Sequence, residues 1–310
     1  MNKILIAVSG GADSLALAEL LICSRRRFGL ELAIAHFDHS LRGQASIDDA
    51  EFVRDFADKR GINFIGGRGD VKTFAADEKI SVETAARILR YEFLRNARIK
   101  LDCDAIATAH HADDQAETIL MRLLRGTTSS GLSAMKFRTQ SDYGLLIRPL
   151  LKFGKLELEN FCRKKNLSPR TDATNFELDA TRNRIRLELI PALKKFNPAL
   201  VETLCRFGDV AAEEADFIAA QTEKIFPAVV KNNSIVRADF LDLHPALQRA
   251  VIKKFVAQVT GSAKDFGFVH FEGVRKVLLN NLSGVELPKN FRANLNHGRL
   301  TITKNFFGKG

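Results

Sequence analysis

Four short apolar runs, each followed by an amphipathic stretch, divide the first 125 residues of this 310-residue chain. Lys3–Val8 leads through a glycine-rich turn into the helical pattern of Ser14–Leu21, and Glu31–His36 precedes a helix over Ile47–Arg60. Ile62–Ile65 precedes a long helix over Ser81–Lys100, and Ala105–Thr108 a helix over Asp113–Arg125. Apolar strands alternating with amphipathic helices mean βαβ units, hence a parallel sheet covered on both faces. The expected class is α/β, a doubly wound, mainly parallel sheet followed by a smaller α+β domain. Ligands of such sheets bind beyond the carboxyl ends of the strands. Here those ends carry Ser9-Gly10-Gly11, His36-Phe37-Asp38-His39 and His110-His111-Ala112-Asp113-Asp114. Three polar clusters converge on one rim.

Beyond this region the pattern is less regular. Residues 126–144 read as a loop-rich insert. Residues 154–166 and 181–226 read as helices, the second interrupted at Pro191 and Pro198 and ended by Pro227. Leu241–Val259 is helical, and Val285–Thr303 reads as a terminal β-hairpin. A boundary between Lys195 and Arg206 gives domains of residues 1–200 and 201–310, in keeping with ~150 residues per domain.

Composition narrows the class. With 45% hydrophobic and 27% charged residues the chain is globular. No apolar run reaches the ~18 residues of a membrane span, and Ile4–Val8 is too short for a signal peptide, so a cytoplasmic protein without a membrane partner is expected. Cys23, Cys103, Cys162 and Cys205 form no Cys-x-x-Cys, which argues against zinc ribbons, iron–sulfur ligation and dithiol chemistry. Lys plus Arg number 47 against 37 Asp plus Glu, a net +10. That is the electrostatic footprint of a nucleic-acid binder. The excess concentrates in Lys152–Lys195, with 11 basic and 6 acidic residues, and in Glu286–Gly310, with 5 and 1.

Ser9-Gly10-Gly11-Ala12-Asp13-Ser14 lies between the first strand and its helix. Glycines let the backbone approach an anion, the helix-start N–H groups point at it, and the two serines add donors. Neither Gly-x-x-x-x-Gly-Lys-Ser/Thr nor Gly-x-Gly-x-x-Gly is present. Ser14 as a helix N-cap would suit any α/β turn, but a cap does not call for two serines, two glycines and an acid together. The loop resembles the PP-loop of N-type ATP pyrophosphatases, which cleave ATP between its α and β phosphates through an adenylated intermediate. The resemblance implies a Rossmann-like domain in which Ser9, Gly10, Gly11, Ala12, Asp13 and Ser14 hold ATP, with Asp13 catalytic and associated with Mg²⁺. A hard cation between carboxylate and phosphate oxygens is physically sensible.

Further segments narrow the resemblance. His36-Phe37-Asp38-His39-Ser40-Leu41-Arg42-Gly43, the run His110 to Thr118 with Arg122 and Arg125-Gly126, and Asp172-x-Thr174-Asn175 before Arg182-Asn183-Arg184-Ile185-Arg186 are joined by two others. These are Glu83, Arg87, Arg90 and Tyr91 on the long helix, and Ile147-Arg148-Pro149-Leu150-Leu151. Together, over residues 3–195, they resemble the bacterial tRNA(Ile)-lysidine synthetases, in a compact form with one C-terminal domain. This implies ligation of free L-lysine to the wobble cytidine of a CAU-anticodon tRNA(Ile), with ATP and Mg²⁺. A homodimer is one assembly left open. His36, Asp38 and Arg42 are expected at the ATP, and His110, Asp114 and Glu117 at the lysine. Arg182, Arg184 and Arg186 are expected at the tRNA, with Asp114 and Arg184 joining Asp13 in catalysis.

Plainer readings stand beside these. The spacing of Asp114 and Glu117 also suits a capping box; at i and i+3 the two acids share one helical face at the rim, where the resemblance implies an ammonium group. Adjacent His110 and His111 have no third soft ligand spaced to complete a metal site. Asp38, His39 and Arg42 could pair with one another in a loop. Arg184 lies round the helix from Arg182 and Arg186, which suits phosphate contacts on two sides rather than one solvated face. Three rivals share the loop. The first is a tRNA sulfurtransferase, which needs paired thiols where Cys103 stands alone; the others are a small-molecule PP-loop ligase and a non-enzymatic RNA-binding protein.

Overall fold

The computed structural model describes residues 2–41, 43–170, 180–263 and 265–305. The expected Arg42 and the Asp172-x-Thr174-Asn175 segment lie outside the described residues. The chain forms two compact units, residues 1–126 with 131–209, and residues 127–130 with 210–310.

In the first unit, β1 (Lys3–Ala7), α1 (Ala12–Phe28), β2 (Glu31–Asp38), α2 (Gln44–Asp58) and β3 (Asn63–Arg68) build one half of a sheet. Then come α3 (Val71–Asp77), α4 (Val82–Lys100), β4 (Ala105–Ala107), α5 (Ala112–Leu124), α6 (Ser129–Leu132), β5 (Arg138–Ser141), β6 (Gly144–Ile147) and α7 (Lys155–Lys164). The strand order is β3-β2-β1-β4-β6-β5, parallel except for β5. This is the doubly wound class that the alternation implied. Strand order reverses between β1 and β4, so a crevice opens there beyond their carboxyl ends. β1 is apolar on both sides because both faces are covered. Ile4 and Ile6 join Leu15 and Leu17 of α1, Val53 of α2 and Leu158 of α7 in one core. Leu5 turns the other way, to Tyr91 and Leu94 of α4.

The stretch read as a loop-rich insert contains α6 and β5. Two buried side chains shape it. Gln115 of α5 pairs with the Met135 backbone through both its amide nitrogen and its carbonyl oxygen, each at 2.8 Å. Arg148 donates to the Lys136 carbonyl and the Thr139 hydroxyl, both at 2.9 Å. Neither tie shows in local sequence, because each joins residues at least nine apart.

After the undescribed stretch, α8 (Ala180–Arg184), a π-helical turn (Ile185–Leu189) and α9 (Ile190–Lys194) run without a break. Pro191 was expected to interrupt this helix. It sits instead at the second position of α9, after the wider turn in which the Ile190 N–H reaches the Ile185 carbonyl. The segment lies on α5, where Ile185 and Ile190 meet Ala116 and Leu120. Next, α10 (Leu200–Val229) begins in the first unit and ends in the second. Pro227, expected to end the helix, lies inside its last turn, where a missing N–H forfeits only one bond, to the Glu223 carbonyl.

The second unit adds β7 (Val230–Lys231), β8 (Ser234–Val236), α11 (Arg237–Leu241), α12 (Pro245–Thr260), α13 (Phe268–Asn280), β9 (Gly284–Leu287), β10 (Phe291–Asn296) and β11 (Arg299–Lys304). The stretch Val285–Thr303, expected as one hairpin, makes three antiparallel strands, β9, β10 and β11, with a break at Pro288–Asn290, and they lie within a sheet of order β7-β8-β11-β10-β9. Phe240, Val251, Ile252, Phe255, Val274 and Leu278 fill the core between this sheet and its helices. No helix among the described residues is long and apolar enough to cross a membrane.

Candidate functional site

The loop after β1 is shaped by its own serines. Gly10 takes φ +96°, a conformation L side chains rarely adopt, and a Cβ there would also meet Phe52 and Val53 of α2 at 3.6 Å. Ser14 is buried; its hydroxyl donates to the Gly11 carbonyl at 2.9 Å and accepts from the Ser9 N–H at 3.2 Å. A hydroxyl has one proton, so the Ser9 hydroxyl must donate to Ser14 across their 3.2 Å contact, leaving its own oxygen for the Gly11 N–H. The serines therefore brace the loop from within. From outside, the Arg170 N–H holds the Gly10 carbonyl at 3.0 Å, and the Arg170 guanidinium reaches Asp49 at 3.3 Å. Nothing in the local sequence marks Arg170, whose partners lie more than a hundred residues away.

His36 is buried, with Nδ1 2.9 Å from the Val8 carbonyl. A carbonyl only accepts, so Nδ1 carries the proton and Nε2 offers a lone pair. Burial holds its pKa below the usual histidine value, in spite of the Val8 bond and the charges of Asp49 and Asp38. Asp38 accepts from the Ser40 N–H at 2.7 Å and lies 3.4 Å from Arg68. The His39 ring stands edge-on to Phe37, with centroids 4.9 Å apart.

Across the crevice, the loop after β4 delivers two adjacent histidines into opposite surroundings. His110 Nδ1 lies 2.9 Å from the Thr108 hydroxyl. Burial, reinforced by Arg148, Arg90, Arg182 and Arg87, pushes its pKa down to about 3. His111 is the N-cap of α5 and is buried among three carboxylates, Asp13 and Asp114 at 3.5 Å and Asp113 at 3.6 Å. Burial would lower its pKa; Asp113, Asp13 and Asp114 overturn this and raise it to about 10. His111 in turn holds Asp113 down to about 2, helped by the Lys155 N–H at 2.8 Å. An imidazolium thus ties the loop acid Asp13 to the start of α5 across the switch point.

One oxygen of Asp13, Oδ1, is buried and has no partner among the described residues. A carboxylate oxygen left over beside an anion-binding loop fits a hard divalent cation such as Mg²⁺. Asp114 caps α5 by accepting from the His111 N–H at 3.0 Å, and its other oxygen lies 3.6 Å from Arg186. Asp114 thus caps as the third residue of α5, with His111 as N-cap; the expected box of Asp114 with Glu117 does not form, because Glu117 lies a turn further along the helix.

Glu117 does something the sequence did not reveal. It is 1% exposed, and its oxygens accept from Arg186 Nε at 2.6 Å, Arg182 Nε at 2.9 Å and Arg186 Nη2 at 3.1 Å. The expected lysine ligand is already filled by two of the expected tRNA contacts. Arg184 points elsewhere, 76% exposed and 3.6 Å from Glu188.

The four cysteines are all free. Cys103 is buried just before the inner strand β4, at its amino end and so opposite the rim. Cys162 is buried under the loop and donates to the Ala12 carbonyl at 3.3 Å, and burial raises its pKa.

A tRNA(Ile)-lysidine synthase of Clostridium tetani is 33% identical over 97% of the chain, and that of Clostridium acetobutylicum 34% over 97%. The Geobacter sulfurreducens tRNA(Ile)-lysidine synthase is 36% identical over 93%. The chain spans 65%, 66% and 62% of the lengths of these relatives. Among solved structures, the U34-tRNA thiolase NcsA from Methanococcus maripaludis, with its [4Fe-4S] cluster, superposes with a TM-score of 0.54. At 19% identity, over 68% of this chain and 72% of that one, it shows a shared fold. The PP-loop domain model matches residues 1–193, the stretch that carries the braced loop and the carboxylate–histidine network, and the chain belongs to that PP-loop family.

Proposed function

We propose that this chain ligates free lysine to C2 of the wobble cytidine of a CAU-anticodon tRNA(Ile), consuming ATP and forming lysidine, in the cytoplasm. The observation that carries the reading is 33–36% identity to lysidine synthases over nearly the whole chain. In the reaction the cytosine O2 attacks the α-phosphorus and pyrophosphate leaves. The lysine ε-amine then bonds to C2, AMP departs with the former O2, and the amine gives up its protons.

The residues divide this work by charge. Amides of the braced loop and the start of α1 hold the triphosphate, with His36 and Asp38 closing the nucleotide side. Asp13 would hold Mg²⁺, which when bound neutralises phosphate charge. Arg182 and Arg186, fixed by Glu117, face charge developing on phosphate. Asp114 takes the lysine ammonium and accepts its proton, beside a neutral His110 that adds no competing positive charge. Arg184, exposed, reaches the tRNA, and residues 210–310 hold its stem through backbone charge. A sulfurtransferase reading is less favoured, because Cys103 lies away from the rim and Cys162 is buried beneath the loop.

Incorporation of labelled lysine into acid-precipitable RNA tests the proposal, with ATP, Mg²⁺ and a CAU-anticodon transcript beside one whose wobble base is U. Label fixed only in the first, and lost in Asp13→Ala, is the expected result. Pyrophosphate release without label in either transcript would refute it.

A further inference from the structure

Phe196, just past α9, is 89% exposed, more than any other large apolar residue described. It is not a loose end. The N–H groups of Phe196 and Asn197 both reach the Leu193 carbonyl, at 3.0 and 3.1 Å. The Asn197 side chain then accepts from the Ala199 N–H at 3.0 Å and donates to the Thr203 hydroxyl at 3.3 Å. Three residues earlier, Leu193 turns inward onto the core of α5. The fold thus spends four hydrogen bonds holding this turn while leaving its aromatic ring in water.

The ring's surroundings choose its partner. Lys194 and Lys195 are exposed beside it, and the charge of Lys194 also acts on Asp113 at the start of α5. From residue 180 to 200 there are five basic side chains and one acid, and that acid, Glu188, faces Arg184. A second protein copy would need to bury roughly 800 Å² per partner; here a single ring is flanked in the chain by two exposed lysines. Single-stranded RNA offers both complements at once, a base face for the ring and phosphates for the lysines. The position also suits it, because Phe196 is ten residues beyond Arg186, roughly 15 Å at 1.5 Å per residue, so the ring serves a base other than the one that reacts.

We propose that Phe196 is a stacking platform for an unpaired base of the tRNA anticodon loop, with Lys194 and Lys195 on the flanking phosphates. The inference rests on the tRNA reading above and names a contact of that substrate outside the catalytic crevice.

The sequence contains no tryptophan, so Phe196→Trp places a single tryptophan at the site, which can be excited apart from Tyr91 and Tyr143. Titration of that variant with an anticodon stem-loop is expected to quench its emission, and Phe196→Ala is expected to weaken stem-loop binding about tenfold, the scale of one lost base–aromatic stack. ATP binding should be unchanged in both variants. A wild-type chain that binds the stem-loop, with no response from the tryptophan and no loss in the alanine variant, overturns the platform alone. A wild-type chain that binds neither stem-loop nor tRNA overturns the proposed function, and the platform with it. Emission that follows protein concentration without RNA would mean a second copy covers the ring, and would also overturn it.

Discussion

Glu117 Oε1 accepts a 2.6 Å hydrogen bond from Arg186 Nε, while Arg182 binds the other oxygen of the same buried carboxylate. One acid on α5 thereby fixes two arginines that arrive sixty-five and sixty-nine residues later. Glu117→Gln keeps the shape and removes the charge. Breaking a buried pair costs 3–5 kcal/mol, and with both arginines about a third exposed we expect about 2 kcal/mol. That is a fall of roughly 4–8 °C in Tm for a unit of this size. Lysine incorporation should lose far more in kcat than in KM for lysine, since the effect passes through the arginines. Arg184→Ala, which removes only an exposed pair, should leave Tm within about 1 °C of wild type. Equal losses from the two variants would refute the assignment.

The two neighbouring histidines should titrate on opposite sides of neutrality. Imidazole resonances at pH 7 are expected to show His110 neutral and His111 charged, as their pKa values of about 3 and about 10 require. The stability profile follows from linkage. Below about 6.5 the unfolded chain protonates its His110 while the folded one does not, so stability rises with pH from about 3 to 6.5 and is then fully present. For His111 the folded form keeps the proton longer. Its contribution is complete below about 6.5 and disappears as pH climbs to about 10. His110→Gln should flatten the acid limb of a denaturation-versus-pH curve, and His111→Gln the alkaline limb.

Gly10 carries the conformational demand of the nucleotide loop. Gly10→Ala forces a side chain to φ +96°. At about 1–3 kcal/mol for such strain, ATP affinity measured by calorimetry should drop about tenfold or more. Gly29, with φ +59° and nothing within 4 Å of a built Cβ, is a control. Gly29→Ala should cost stability without touching ATP affinity.

Gln115 imitates a strand against the Met135 backbone. Gln115→Ala removes both bonds at once and should cost about 2 kcal/mol. Hydrogen exchange at the Met135 amide should speed up markedly while amides of β1 stay protected. Unchanged exchange at Met135 would refute the role.

What could be read in advance followed from periodicity and motif. Strands β1, β2 and β4 and helices α4 and α5 announce themselves because their burial repeats along the chain. The rim clusters followed from the rule that parallel strands end together. The missed features depend on partners distant in sequence. Strand β5 is polar and exposed at alternate positions, and is fixed by Arg148 rather than by its own composition. The pairing of Glu117 with Arg182 and Arg186 needed the approach of α8 to α5, which no local spacing encodes. In the same way, Arg170 looks like one more basic residue until the fold sets its N–H against Gly10.

The π-helical turn at Ile185–Leu189 has a further consequence, for what insertions and deletions the gene can accept. Each residue of a helix advances its side chains by about 100°. The five-residue closure from Ile185 to Ile190 takes up one residue more than an ordinary turn, so the helix on either side keeps its faces. Deleting one residue within this turn would restore an ordinary helix and leave Ile190 and Leu193 seated on α5, with Arg182 still at Glu117. The same deletion in an ordinary turn before or after it would swing everything beyond by that angle, so the exposed Leu187–Glu188 stretch is where the chain can lose a residue without moving either flank.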